Sequence, residues 1–203
     1  KTVDKEHPSY ALSLSNVAVS YSDLGDYQRA LELHLECLAL CEKILGKEHP
    51  RYALSLNNVA ASYSDLGNYQ RALELNLECL ALCENILDKE HPSYALSLSN
   101  VAYNYSNLGN YQRALELHLE CLALKEKTVG KKHPYYVSSL KLVAESYSNL
   151  GDYQRSLELN LECLTLYEKI LGKEHQNYIG VLGNIANTYH YLGDYQKSLD
   201  LRL

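Results

Sequence analysis

His34, Cys37 and Cys41 are separated by three and four residues, which on a helix places one imidazole and two thiols on the same side, and His118 with Cys121 partly repeats the set. Three converging ligands of this kind suit zinc. The position of His34, however, is held by Asn76 and Asn160 in the equivalent stretches of chain, a replacement that a metal site does not tolerate. Cys37, Cys79, Cys121 and Cys163 recur at a fixed interval of 42 residues, and buried cysteine packs as a small hydrophobe. No metal site is expected. Cys37 with Cys41, and Cys79 with Cys83, lie one helical turn apart with side chains running parallel, so they are expected to be free thiols. Cys41 and Cys83 give way to Lys125 and Tyr167, which marks that position as exposed or only partly buried.

The other titratable groups are equally periodic. His7, His49, His91, His133 and His175 are spaced by 42, and all but His175 precede a proline. Imidazole titrates near neutrality and could form a pH switch, but a structural role at a helix start is the favoured reading. Glu32, Glu36 and Glu42 lie among leucines with basic residues nearby and read as a solvated outer face. There is no nucleophile–base pairing and no glycine-rich phosphate loop, so neither an enzyme nor a cofactor is expected.

The elements that carry these residues follow from the repeat. Residues 7–48 and 49–90 share 35 of 42 identities, and the unit from His133 still keeps 31 of 42 against the first. In the first unit Pro8 stands in a first turn, and Ala11, Leu14, Val17, Ala18 and Tyr21 follow with helical spacing, predicting helix A. Gly25 can close it in the left-handed conformation, and Asp26 can accept hydrogen bonds from the free amides of the next helix. Tyr27, Ala30, Leu31, Leu33, Leu38, Ile44 and Leu45 predict helix B, which Gly46 closes. No room is left for strands. The expected organisation is one repeat domain over 1–203: the tail of a preceding repeat in 1–6, full repeats at 7–48, 49–90, 91–132 and 133–174, and a truncated fifth at 175–203. A lone helix pair cannot bury its apolar faces, so each unit must lean on the next.

Apolar residues make up 46% of the 203 and the formal charge is -6, with no basic block to neutralise a phosphate backbone. Nucleic acid is not an expected partner. No stretch approaches the roughly 20 apolar residues of a membrane span, residues 1–6 lack the apolar core of a signal peptide, and six cysteines in a uniformly helical chain fit a reducing, cytoplasmic location. A start without Met and an end at Leu203 suggest a piece of a longer array whose two ends present apolar surface.

Leu14, Val17, Ala18 and Tyr21, followed by Gly25, Tyr27 and Ala30, resemble the tetratricopeptide repeat signature. The Leu-x-Asn-Val-Ala-x-x-Tyr run at 14–21, the Gly-Lys-Glu-His-Pro linker at 46–50 and the 42-residue length are similar to the long repeats of kinesin light chains and nephrocystin-like arrays. The resemblance covers essentially the whole chain. It implies an all-α, right-handed superhelical solenoid of tandem helix-turn-helix repeats, in which Ala18 lets helices approach, Tyr21 and Tyr27 fill the joint, and helix A lines a concave face that binds peptides.

Carried onto the first unit, the groove positions are Leu12, Ser15, Asn16, Val19, Ser22 and Asp23. Asn16 matches an asparagine that such repeats use to bind peptide backbone, recurring as Asn58, Asn100 and Asn184 and replaced by Leu142. A carboxamide donates and accepts at once, as an extended backbone requires. Asn57, Tyr103, Lys141 and Glu145 complete the candidate set, with the variable positions Val19, Ala61, Tyr103, Glu145 and Asn187 as the place where partner choice would reside. Basic groups near the groove are few, Lys141 and Arg51, while Asp23 and Asp65 are acidic, which disfavours acidic cargo or C-terminal carboxylates as ligands. Two functional readings follow: a scaffold whose concave face binds a peptide or helical segment of another protein, or a structural array that associates end to end with copies of itself.

Overall fold

The computed structural model describes residues 8–87 and 89–202, and those residues are helices joined by short turns, with no strand among them. His7 and the tail expected in 1–6 lie outside the described residues. The helices group into two compact units, residues 1–108 and 109–203. The first holds α1 (Pro8–Asp23), α2 (Tyr27–Leu45), α3 (Pro50–Asp65), α4 (Tyr69–Ile86) and α5 (Pro92–Asn107). The second holds α6 (Tyr111–Val129), α7 (Pro134–Asn149), α8 (Tyr153–Leu171), α9 (Gln176–Tyr191) and α10 (Tyr195–Asp200). Within each unit every helix packs against its neighbours in sequence, so the fold is a tandem of helix-turn-helix repeats. Odd-numbered helices are the A helices and even-numbered ones the B helices.

Local chemistry sets the joints. At the α1–α2 turn the Asp26 amide donates to the Tyr21 carbonyl and the Gly25 amide to the Ser22 carbonyl, both at 2.9 Å, with Gly25 at φ +80°. This is a Schellman closure, which needs a residue without a Cβ at that φ. Asp26 Oδ1 then accepts the Arg29 amide at 3.1 Å and starts α2, and Asn68, Asn110, Asp152 and Asp194 do the same for the later B helices.

The linker histidines have a structural task of the same kind. His49, His91, His133 and His175 each turn Nδ1 onto the amide two residues ahead, in Arg51, Ser93, Tyr135 and Asn177, at 3.1–3.2 Å. A helix start leaves amides without intrahelical partners, and an imidazole nitrogen serves here in place of the usual Ser, Thr or Asp oxygen.

Within each unit the core lies where B helices meet the A helices beside them. Ala18, Ala60, Ala102, Ala144 and Ala186 are wholly buried, as are Ala30, Ala72 and Ala114, so backbones approach closely at each crossing. Val59, Val101 and Val143 are 1% exposed, each burial worth about 1.5–3 kcal/mol. Val17, expected in the same core, is 46% exposed: α3 packs between α2 and α4, whereas among the described residues α1 packs on α2. Tyr27 also departs from expectation. As the first residue of α2 it stays on the surface, while Tyr21 is half-buried in the joint.

The expected exposure of the Cys41 and Cys83 position is overturned. Cys41 is 4% exposed, Cys83 is buried too, and Tyr167, which replaces them, is 1% exposed. This face of helix B meets the following A helix: Ser55 Oγ donates to Cys41 Sγ at 3.3 Å, and Ser97 Oγ lies 3.6 Å from Cys83 Sγ. Tyr167 fits because its hydroxyl reaches Ser138 Oγ at 2.9 Å, at a repeat position where Leu12, Leu54 and Leu96 stand earlier. Lys125 at the third such position is half-buried, its ammonium 5.6 Å from the Tyr135 ring centre.

All six cysteines are free and buried. Cys37 and Cys79 Sγ each lie 3.2 Å from a helix A carbonyl, those of Ala11 and Ala53. Burial pushes the Cys79 thiol up to about 11 and the Cys163 thiol up to about 12, so neither ionises near neutrality. Among the described residues no cluster of His, Cys, Asp and Glu is arranged to hold a metal ion.

Candidate functional site

The A helices carry every residue singled out for binding. In the first unit the structure joins them into bridges between consecutive A helices. Asn58 Nδ2 on α3 donates to Ser15 Oγ on α1 at 3.2 Å, and Asn100 Nδ2 on α5 donates to Asn57 Oδ1 on α3 at 2.6 Å. In the second unit Asn184 Nδ2 on α9 donates to Glu145 Oε1 on α7 at 3.2 Å, and Glu145 also pairs with Lys141 at 3.6 Å. Asn16, Val19 and Tyr103 are exposed, and the structure does not bring them into these bridges. The recurring asparagines thus spend a donor on holding A helices together. A carboxamide has a second N–H and carbonyl lone pairs to spare.

The Asn100–Asn57 bridge divides the seam between α3 and α5 into a more apolar and a more polar end. At the N-terminal end of the α3–α5 seam, Leu54, Leu96 and Cys79 line a depression of about 140 Å³ that reaches Asn57. The α1–α3 seam has a similar one of about 170 Å³ lined by Leu12, Leu54, Ser15, Arg51 and Asn58. Leu12, Leu54 and Leu96 are each more than half exposed.

The polar end of the α3–α5 seam holds a pocket of about 210 Å³ lined by Ala61, Ser64, Asp65, Asn76, Asn100, Tyr103 and Asn104. Asn76 comes from α4 and is 2% exposed, with Oδ1 lacking a hydrogen-bond partner. In the second unit a pocket of about 200 Å³ is lined by residues that include Glu145, Asn149, Asn184, Tyr191 and Asn160 of α8, which is 1% exposed and likewise has an unpartnered Oδ1.

The same B-helix position is histidine in the first and third repeats. His34 Nδ1 lies 2.8 Å from Ser62 Oγ, and His118 Nδ1 lies 2.8 Å from Ser146 Oγ. Each serine hydroxyl already donates to a helix carbonyl, of Asn58 and Leu142. The imidazole Nδ1–H must therefore be the donor, which leaves Nε2 bare, and in both rings Nε2 is buried without a partner. Protonating it would bury a charge, a cost that for His34 outweighs the favourable pull of the Asp65 carboxylate and the Ser15 backbone, and that for His118 nothing offsets. Burial accordingly lowers the His34 pKa and brings that of His118 down to about 4.

Sequence reasoning found the asparagine row but missed the pockets. It noted the alternation His34, Asn76, His118, Asn160 only as grounds against a metal. The available signal was a second alternation in step with it: Ser62, Asn104, Ser146 and Thr188 on the facing A helices.

A tetratricopeptide repeat model matches residues 9–85, 54–127, 93–169 and 135–201. Among solved structures, the chain is similar to a kinesin-light-chain-like protein of Podosopora anserina with nearly identical repeats: 31% identity, TM-score 0.83, 96% of this chain and 92% of that one. BtubC from P. vanneervenii superposes at TM-score 0.80 with 19% identity over 96% and 77% of the two chains. A Rap protein complexed with Competence and Sporulation Factor superposes at 0.69 with 15% identity over 99% and 63%. Among curated proteins, none matches the sequence.

Proposed function

The chain belongs to the tetratricopeptide repeat family, and from that premise we propose that its A-helix face binds an extended segment of another protein. The observation that carries the reading is the row of exposed Leu12, Leu54 and Leu96 beside the Asn58–Ser15 and Asn100–Asn57 bridges. Apolar side chains standing next to carboxamides with spare hydrogen-bonding capacity are what an extended peptide needs: depressions for alternate side chains and groups that bond its backbone. The B helices expose leucines too, Leu35, Leu77, Leu119 and Leu161, but these share the outer face with ion pairs such as Arg71 with Glu74 and Arg113 with Glu116. A Rap protein of the same fold was solved in complex with a bound factor, which fits a binding role. No helix of the described residues is long and apolar enough to cross a membrane.

The test is a partner isolated on the immobilised chain and mapped by crosslinking. Crosslinks should fall on α3 and α5, and Asn58→Ala with Asn100→Ala should weaken binding. Unchanged affinity would remove the asparagines from the site, and crosslinks confined to the B helices would remove the A-helix face altogether.

Val17 of α1, exposed on the first described helix, favours a second reading, end-to-end association between copies of the chain. Light scattering over a wide concentration range decides it: mass should grow with concentration and stay constant in Val17→Lys. A constant mass for the unaltered chain rules it out.

A further inference from the structure

We propose that the polar pocket between α3 and α5 receives the ammonium group of a lysine side chain carried by the bound segment. The inference rests on the A-helix face being the binding face and specifies the chemistry of its ligand.

Asn76 Oδ1 is a buried carbonyl oxygen without a donor, a costly arrangement whose cost is recovered when a ligand supplies one. The hydrogen-bonding capacity of its surroundings is uneven. Asn104 is saturated, with Nδ2 donating to the Asn100 carbonyl at 2.9 Å and Oδ1 accepting from Ser64 Oγ at 3.0 Å. Asn100 has committed an N–H to Asn57 and keeps Oδ1. Asp65 contributes a carboxylate steadied by Ser22 Oγ at 3.1 Å, and no basic residue lines the pocket. What remains are the acceptors Asn76 Oδ1, Asn100 Oδ1 and the carboxylate of Asp65, the one charged residue of the lining, against a second N–H of Asn100, beside the ring of Tyr103.

An ammonium has three donors and no acceptor, carries the charge that Asp65 calls for, and is attracted to an aromatic face. A carboxylate or phosphate would meet repulsion and find few donors. The pocket of the second unit has the same buried asparagine and a tyrosine, but its one carboxylate, Glu145, is already paired with Lys141 and accepts from Asn184. Cation selectivity therefore belongs to the α3–α5 pocket.

The chain supplies its own control. The first repeat fills the equivalent place with His34 bonded to Ser62, so Asn76→His with Asn104→Ser should close the pocket with a side-chain pair that the fold already accommodates, leaving the charge at pH 8 unchanged. Fluorescence anisotropy would follow three labelled nonapeptides, alternating leucine with lysine, with glutamine or with glutamate. The lysine peptide should bind tightest, and the double variant and Asp65→Asn should each weaken it by about tenfold or more, the order of a lost hydrogen bond to a charged group. Equal binding of all three peptides, or undiminished binding of the lysine peptide to the double variant, would overturn the ammonium pocket and leave the binding face standing. Failure of all three to bind would overturn both.

Discussion

The buried His118 gives a prediction with a sign, a size and an internal control. Its ring lies 5% exposed between α6 and α7, with Nδ1–H committed to Ser146 Oγ and Nε2 facing no partner. Burial brings its pKa from 6.5 down to about 4. Because the unfolded chain binds the proton more readily, the stabilisation is complete above about pH 6.5 and is lost progressively as pH falls towards 4. At 1.36 kcal/mol per pKa unit the full loss is about 3 kcal/mol, of which about 2 kcal/mol is felt on going from pH 7 to pH 5. The second repeat holds Asn76 and Asn104 at the corresponding positions, so His118→Asn with Ser146→Asn should remove the acid sensitivity without foreign packing. Urea unfolding of both proteins at pH 7 and pH 5 measures it. The unaltered chain should lose about 2 kcal/mol more than the variant over that interval. His34, shifted in the same direction, is common to both and cancels. Nitrogen NMR should also find the His118 ring neutral and protonated at Nδ1 at pH 5. Equal losses in the two proteins, or a charged ring at pH 5, would refute the reasoning from burial.

Other outcomes follow from the joints and the core. Gly67→Ala forces a Cβ into φ +75° and should cost about 1–2 kcal/mol in thermal or urea unfolding. His91→Ala removes the acceptor for the Ser93 amide and should cost about 1 kcal/mol, with His91→Asn recovering most of it; full stability in the alanine variant would deny the imidazole its capping task. Cys79 and Cys163, held protonated by burial, should resist a thiol reagent at pH 8 in the native protein and react at once in denaturant. Labelling of either in native buffer at the rate of a free thiol would contradict the packing.

The sequence by itself determined the elements and their order. The 42-residue period, the glycine at each joint and the Asp or Asn after it dictate helix ends through interactions within a few residues of chain, and the structure has α1 closing on Gly25 and α2 starting from Asp26 as read. The tertiary structure decided everything that depends on three helices meeting. Cys41 and Tyr167 differ in size and polarity and looked like surface variation, yet both are buried, because this face of helix B meets A helices, at Ser55 for Cys41 and at Ser138 for Tyr167. The asparagine row was legible as a row, but its use between α1, α3 and α5 was not, since a donor's partner some 43 residues away leaves no mark on local spacing. The alternation of histidine and asparagine at 34, 76, 118 and 160 likewise became meaningful only when the following A helix showed which side chain fills its space and which leaves a pocket. Helix ends are set by neighbours along the chain; burial, and the unpartnered oxygens it creates, are set by neighbours across it.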